Sequence, residues 1–275
     1  MAIYGIALGV ISSTACRNAT RSVPFTVFDQ MSPAEITEEL KRRFRRARRV
    51  VVLTGAGISA ESGVPTFRGG GGSAVWRGFP FEQISSAEML ARDPALVWEW
   101  FNYRRQVISQ ARPNAAHRAL AEWEKRFQSL VVITQNIDDL HRAAGSRTVL
   151  ELHGNIWRVR CLSCGRVTEN RQVPLREIPP TCTCGGMLRP DVVLFGEALP
   201  GEVLHRAQAE AARCELFFIV GTSAIVYPAA YLPVIAKHGG AYVVEVNPET
   251  TPVSSLVDVT LSGKAGEVLP ALSEA

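Results

Sequence analysis

From Val50 onward the chain alternates short runs of β-branched and apolar residues with longer amphipathic stretches, and the short runs are apolar at nearly every position. Strands apolar throughout are buried on both faces, so this rhythm predicts a parallel sheet with helices on both sides. The strand candidates are 50–54, 130–134, 149–152, 192–195, 216–220 and 242–246. Several of them run into small or polar residues: Gly55-Ala56-Gly57, Gln135-Asn136, His153-Gly154-Asn155, Gly196-Glu197, Gly221-Thr222-Ser223 and Asn247-Pro248. Ligands of open α/β sheets bind beyond the carboxyl ends of the strands, so these tails are expected to line one crevice. Upstream, Ser32-Pro33-Ala34-Glu35 has the form of a capping box with proline at the first helical position. Ile36, Leu40 and Phe44 follow at four-residue spacing and predict a helix.

With 275 residues, 47% of them hydrophobic, the chain has room for one large domain carrying a small inserted module. No apolar run reaches the roughly 18 residues needed to span a bilayer. A soluble, cytoplasmic protein acting as a monomer is expected. The net charge of +4 is uneven: seven of the nine residues from Lys41 to Arg49 are basic, and the remainder holds 23 basic against 26 acidic residues. Such a run can attract nucleic acid or acidic proteins. Because it lies on and just after the predicted surface helix, a solvated helix face is the expectation, with no nucleic-acid partner. Residues 1–31 read as an extension, with an apolar stretch from Ala2 to Ile11, Arg17 and Arg21, and no acidic residue before Asp29. No basic segment precedes the apolar one, as a secretory signal requires, and arginine is too sparse for a transit peptide. The expectation is a disordered extension, or one upstream of a true start at Met31.

Gly55-Ala56-Gly57-Ile58-Ser59-Ala60 matches the G-x-G-x-x-G/A dinucleotide pattern and follows a strand, as that pattern requires. The first glycine permits the tight turn, and the second lets backbone approach a pyrophosphate. A dehydrogenase would continue through a helix to a second strand ending in an acidic residue. Here Ser62 to Gly72 is neither strand nor helix, which suits a glycine-rich loop over the cofactor.

Four of the six cysteines stand as Cys161-x2-Cys164, then 17 residues, then Cys182-x-Cys184. This is close to a zinc ribbon, whose usual second pair has two intervening residues. Paired or free thiols are the alternative to one structural Zn²⁺. Four thiolates leave no open position for water, so such a metal would hold the module together and take no part in a reaction. Cys16 and Cys214 lack such a context and are expected in the extension and in the core.

Taken together, the run from Gly55 to Arg68, Thr134-Gln135-Asn136-Ile137-Asp138, Leu152-His153-Gly154-Asn155, the four cysteines, Phe195-Gly196-Glu197, Gly221-Thr222-Ser223 and Val246-Asn247-Pro248 resemble sirtuin motifs in sirtuin order. The resemblance covers roughly Ser32 to the C-terminus. It implies an α/β fold in which a Rossmann-like parallel sheet with helices on both faces, formed by 32–156 and 190–275, carries a small zinc-ribbon domain at 157–189. The small domain would also receive part of 66–115. NAD and an acyl-lysine of a protein substrate would meet in the cleft between the two, in a deacylation releasing nicotinamide, O-acyl-ADP-ribose and free lysine.

By the same resemblance, Gly55, Ala56, Gly57, Ser59, Ala60, Thr66, Phe67 and Arg68 would hold the pyrophosphate and cover the nicotinamide ribose. Gln135 would face the ribose, and Asn136, Ile137 and Asp138 would hold the nicotinamide. Gly221, Thr222, Ser223 and Asn247 would take the phosphate and ribose end, and Pro248, Glu249 and Ala265 would also touch the cofactor. The acyl oxygen would attack the anomeric carbon as nicotinamide leaves, with Asn136 and Asp138 assisting. His153 would be general base on the ribose hydroxyls, a role suited to a side chain of ordinary pKa near 6.5. Considered alone, a histidine at a strand end is as readily a structural residue. His117 and His141, on predicted helices, and His205 and His238 are read as structural.

The substrate peptide would lie as an added strand between Val193, Phe195, Gly196 and Glu197 on one side and the segment from Thr222 through Val226 to Tyr227 on the other. Backbone pairing of that kind makes little demand on sequence. Trp100-Phe101-Asn102-Tyr103-Arg104-Arg105 resembles the segment in which one sirtuin class carries Tyr-x-x-Arg for acidic acyl groups. Arg104 takes the arginine place and Phe101, without a hydroxyl, the tyrosine place. The resemblance thus implies a deacetylase with weakened desuccinylase or demalonylase activity; the alternative for Arg104 is an arginine on a helix surface. Rival readings of the whole chain are a protein mono-ADP-ribosyltransferase using the same NAD site, a non-catalytic zinc-ribbon interaction module, and an NAD oxidoreductase.

Overall fold

The apolar runs pair side by side in a computed structural model that describes residues 36–66 and 75–274. Along the chain these residues form α1 (Glu38–Arg46), β1 (Arg49–Thr54), a 3-10 helix (Ala56–Ser62), a minimal hairpin of β2 (Val75–Trp76) and β3 (Phe79–Pro80), α2 (Phe81–Ile84), α3 (Ala87–Arg92), α4 (Pro94–Gln110) and α5 (Ala115–Arg126). There follow β4 (Ser129–Thr134), α6 (Leu140–Ala143), β5 (Val149–Glu151), β6 (Gly154–Cys161), β7 (Val167–Glu169), β8 (Leu188–Val192), α7 (Gly201–Arg213) and β9 (Leu216–Val220). A second 3-10 turn (Ala229–Tyr231), α8 (Leu232–His238), β10 (Tyr242–Asn247), β11 (Val259–Ser262) and α9 (Ala265–Glu274) complete it.

The large sheet has six strands in the order β11-β10-β9-β1-β4-β5, all parallel. Alternation along a strand sends successive side chains to opposite faces, and both faces are covered. Val50 and Val52 of β1 join Leu216, Phe218 and Val220 of β9 in a core shared with α1, α5 and α9. Val51 and Leu53 join Phe217 and Ile219 in a core shared with α7 and α8. Two packed faces are why these runs are apolar at every position. A third core unites α2 to α4 with the antiparallel sheet β7-β6-β8, through residues such as Trp98, Trp100, Ile156, Val159 and Leu188.

The candidate strand at 192–195 is corrected. β8 ends at Val192 and runs antiparallel to β6 in the small sheet, while Val193 to Phe195 leave it to donate to neighbouring loops. The sixth strand of the large sheet is instead β11, at its edge, whose alternating Val259-Thr260-Leu261-Ser262 is not a continuous apolar run. At the start of α1, Thr37 is the cap, its Oγ1 accepting the Leu40 N–H at 3.2 Å. The capping box at 32–35, the extension with Cys16, and the glycine stretch at 69–72 lie outside the described residues. In the basic run, Lys41 pairs with Glu38 at 2.8 Å and Arg43 with Glu39 at 2.6 Å, contacts of a solvated helix face. Among the described residues no helix is long and apolar enough to cross a membrane.

Candidate functional site

Parallel strands put their carboxyl ends at one edge, and the polar tails meet there. Gly55 N–H donates to Val220 O at 3.1 Å and Gly57 N–H to Gly221 O at 2.7 Å. A Cβ on Gly55 would stand 2.6 Å from Thr222 Cβ, and one on Gly57 2.7 Å from Gly221 Cα. Both glycines are therefore needed for the ends of β1 and β9 to touch, a requirement within the protein that the pyrophosphate reading did not contain. From beneath, Asn114, the N-cap of α5, donates through Nδ2 to Ile58 O at 2.7 Å and to Ser62 Oγ at 3.0 Å.

Inside this turn lies a buried polar cluster. Ser59 Oγ donates to Asp138 Oδ2 at 2.7 Å, and Asn136 Nδ2 donates to Gly55 O at 3.0 Å and to Ser59 Oγ at 3.2 Å. Burial pushes the Asp138 carboxyl upward, against the Leu140 N–H, Ser59 and the Arg104 charge, which favour the carboxylate. His117 and His141 flank the cluster, their rings meeting edge to face at 4.9 Å. His117 Nε2 lies 3.4 Å from Ser59 Oγ, and His141 Nε2 2.9 Å from Thr54 Oγ1. Desolvation drives His117 down to about 4 and His141 well below its usual value. His117 and His141, expected to be structural, stand beside the glycine loop with Asn114, whose role sequence reasoning missed. The available signal was the pair Asn114 and His117 at N-cap and third-residue spacing.

His153 follows β5, and its Nδ1 lies 2.8 Å from Gln135 O. A carbonyl only accepts, so Nδ1 carries the proton and Nε2 of the neutral ring keeps its lone pair. Desolvation lowers the His153 pKa, with the Gln135 bond acting weakly the other way. Gln135 Nε2 in turn donates to Thr222 Oγ1 at 2.9 Å, and Asn247 Nδ2 to Thr222 O at 3.1 Å. One run of bonds thus crosses the ends of β4, β9 and β10.

Other expected cofactor residues stand around this edge. Ala56, Thr66, Ile137 and Ser223 are half-buried, while Ala60, Pro248 and Glu249 are exposed. Ala265 is buried at the start of α9, where the next residue, Gly266, donates its N–H to Glu61 Oε2 at 2.8 Å. Phe67 and Arg68 lie outside the described residues.

Arg104 is only 5% exposed and Phe101 3%, which removes the helix-surface reading of Arg104. Burial lowers the Arg104 pKa, opposed by the Asp138 charge, and its guanidinium lies 5.7 Å from the Trp100 ring centroid. Neighbouring Arg105 is committed elsewhere, donating to Ile156 O and Asn170 Oδ1, both at 3.1 Å. In the segment given to the peptide, Val193 N–H donates to His153 O at 2.9 Å, while Phe195 N–H donates to Ser85 O and its carbonyl accepts from Ala87. Glu197 turns inward, accepting from Leu194 N–H and Arg189 Nη2, both at 2.9 Å. It shapes the loop. Phe195, Ile225 and Tyr227 are exposed and Val226 is half-buried.

A cavity of about 730 Å³ lies away from the glycine loop, among Arg142, Arg158, Arg160, Arg189, Glu151 and Asp191. Each of these guanidinium groups already pairs with a carboxylate, so the cavity is the margin of a salt-bridged seam joining β5, β6 and β8.

The four cysteine sulfurs of the small sheet lie within 4.8 Å of one another, Cys161 to Cys184 at 3.5 Å and Cys164 to Cys182 at 3.9 Å. Tetrahedral Zn–S bonds of about 2.3 Å set sulfurs about 3.8 Å apart. The quartet fits one Zn²⁺. The Cys164 N–H helps draw the Cys161 thiol down, while the neighbouring sulfurs push Cys184 up, as expected of thiols crowded together. Cys214 is buried in the core at 4% exposure, its thiol pushed up to about 12 by desolvation.

A family model described as Sir2 family matches residues 55–228. The chain is 52% identical over 217 residues to a protein of Aquifex aeolicus named NAD-dependent protein deacylase, covering 78% of this chain and 90% of that one. It is 54% identical over 229 residues to NAD-dependent protein deacylase 2 of Pyrobaculum aerophilum, covering 83% and 91%. Among solved structures it is similar to a Sir2 homolog–NAD complex, with a TM-score of 0.83 and 44% identity over 88% of this chain and 94% of that one. A Sir2–p53 peptide–NAD⁺ complex superposes with a TM-score of 0.78 at 33% identity, covering 87% and 98%.

Proposed function

The chain belongs to the Sir2 family, and from that premise we propose that it is an NAD-dependent protein deacylase acting on acylated lysine side chains. The observation that carries the reading is the bond from His153 Nδ1 to Gln135 O, which reserves Nε2 as a base.

NAD, when bound, supplies an electrophilic ribose carbon and nicotinamide as leaving group. Everything else falls to this chain. Asn136 and Asp138 bind the nicotinamide amide, with Ser59 and the 3-10 helix holding Asp138 in place. The lowered pKa keeps His153 neutral at pH 7, so Nε2 would accept the proton of a ribose hydroxyl. Gly221, Thr222, Ser223 and Asn247 would cradle the phosphate and ribose end. The NAD-binding domain takes 32–156 and 190–275 apart from the ends of β6 and β8, which belong with 157–189 and part of 66–115 to the small domain. The four cysteines hold one structural Zn²⁺, closed to water and outside the chemistry.

The substrate strand pairs along 193–197. Phe195 has given both backbone groups to Ser85 and Ala87, and Gly196 follows it exposed in a turn at φ 89°, open to the peptide. Arg104 sets acyl choice: its buried charge attracts an acidic acyl group, and Phe101 withholds the second hydrogen bond.

Purified enzyme with NAD and acetyl-, succinyl- and butyryl-lysine peptides tests this. Acetyl turnover is expected to exceed succinyl turnover. Phe101→Tyr should raise the succinyl kcat/KM about tenfold or more, the worth of a hydrogen bond to a charged group, and Arg104→Leu should abolish succinyl turnover. Acetyl turnover without any succinyl or malonyl turnover sinks the assignment of Arg104. Absence of NAD-dependent turnover on every peptide sinks the whole reading.

A further inference from the structure

We propose that Glu245 is a positioning residue for the cofactor, a buried carboxylate on the sheet that latches the loop after β10 and with it Asn247, Pro248 and Glu249. The inference rests on the NAD reading above.

Glu245 is 0% exposed, between Val244 and Val246 in β10. Alternation places it on the face of Val243, where α7 and α8 pack and where another apolar side chain would serve the core best. A carboxylate is tolerated there only when hydrogen bonds replace water. Here the donors are hydroxyls: Thr251 Oγ1 at 2.5 Å on Oε1, with Ser254 Oγ at 2.5 Å and Thr260 Oγ1 at 3.3 Å on Oε2.

Two of these donors belong to the loop, and both also organise its backbone. Ser254 Oγ accepts the Thr251 N–H at 2.9 Å, and Thr251 Oγ1 accepts the Val253 N–H at 3.3 Å. Ser254 N–H closes the turn on Thr251 O at 3.0 Å, and Val253 is buried on the same sheet face. The near end of the loop differs: Pro248, Glu249 and Thr250 are exposed. The Asn247 contacts, Nδ2 to Thr222 O at 3.1 Å and Oδ1 from Glu249 N–H at 3.5 Å, fix it locally. Asn247 and Glu245 are two residues apart on one strand and so share a face. The exposed cofactor-facing residues are thus held between Asn247 at one end and the Glu245 latch at the other.

An ionised carboxylate offers two accepting oxygens to hydroxyls, whereas a carboxamide offers one and turns an NH₂ towards the other donor. Glu245→Gln therefore breaks half the latch with little change of shape. Thr251→Val breaks it from the loop side, and Thr251→Ser preserves the hydroxyl. The experiment titrates ADP-ribose calorimetrically into each protein and measures kcat, the KM for NAD and the KM for an acetyl-lysine peptide.

Glu245→Gln and Thr251→Val should weaken ADP-ribose binding and raise the NAD KM about fivefold or more, with kcat and peptide KM within about twofold of wild type. Thr251→Ser should behave as wild type. Unchanged ADP-ribose affinity in the folded variants, or losses spread equally over kcat and peptide KM, overturns the latch. If Glu245→Gln does not fold, the two Thr251 variants decide. A wild-type protein that fails to bind ADP-ribose overturns the NAD reading itself.

Discussion

The imidazole of His153 is oriented by a backbone carbonyl that cannot ionise, so its tautomer does not change with pH while the ring is neutral. Its folded pKa is lowered by burial, which means the base-competent form persists below the usual value of about 6.5. The acid limb of the kcat/KM profile is expected below pH 6.5; a limb at or above pH 7 assigned to His153 contradicts the burial argument. His117 gives a stability counterpart. Its folded pKa of about 4 lies below its unfolded value, so the unfolded chain takes the proton first as pH falls. The associated stability is present above pH 6.5 and is lost progressively towards pH 4, by up to about 3 kcal/mol. Denaturant melts at pH 7 and 4.5 should show a steeper loss for wild type than for His117→Asn, and parallel losses would contradict this. His117 shows only its capping contact with Asn114 locally, and His141 shows nothing, because the groups they meet at the loop, Ser59 and Thr54, lie 58 and 87 residues away.

At the scale of elements, the contact between the ends of β1 and β9 depends on having no side chain there. A Cβ added to Gly57 would stand 2.7 Å from the Gly221 backbone, so Gly57→Ala is expected to cost about 1–3 kcal/mol, the usual range for overpacking. A shift in denaturant midpoint worth under about 0.5 kcal/mol would show that the turn relaxes freely. The zinc module makes a second prediction. Purified protein should hold one zinc per chain, and chelation should lower the melting temperature together with activity, since β6 begins directly after His153; metal-free protein melting unchanged would refute a structural role. Elements buried on both faces were legible from sequence, β9 at its observed bounds and β1, β4 and β10 within a residue at each end. Those in the small sheet were not. β8, Leu188-Arg189-Pro190-Asp191-Val192, is half-buried with an alternating pattern, and its apolar continuation into Val193 and Leu194 imitates a central strand.

Among the described residues, two cores sandwich the parallel sheet and a third holds the helices α2 to α4 against the small antiparallel sheet. The tails of β4, β5, β9 and β10 bring Gln135, His153, Thr222 and Asn247 into one connected edge. The location of that edge was legible because parallel strands must all end on one side. Its supports were not: Asn114 reaches the loop 56 residues away, and the bonds of Arg189 to Glu197 and of Glu245 to Thr251 cross turns that no sequence period marks. The central claim is that this edge couples NAD cleavage to lysine deacylation through His153. The most direct measurement follows nicotinamide, O-acetyl-ADP-ribose and free lysine together during turnover of an acetyl-lysine peptide by wild type and His153→Ala. Equal amounts of all three products are predicted for wild type, with acyl transfer falling about a hundredfold or more in the variant, as loss of a general base implies. Wild-type turnover without NAD consumption, or undiminished product formation by His153→Ala, would contradict the account.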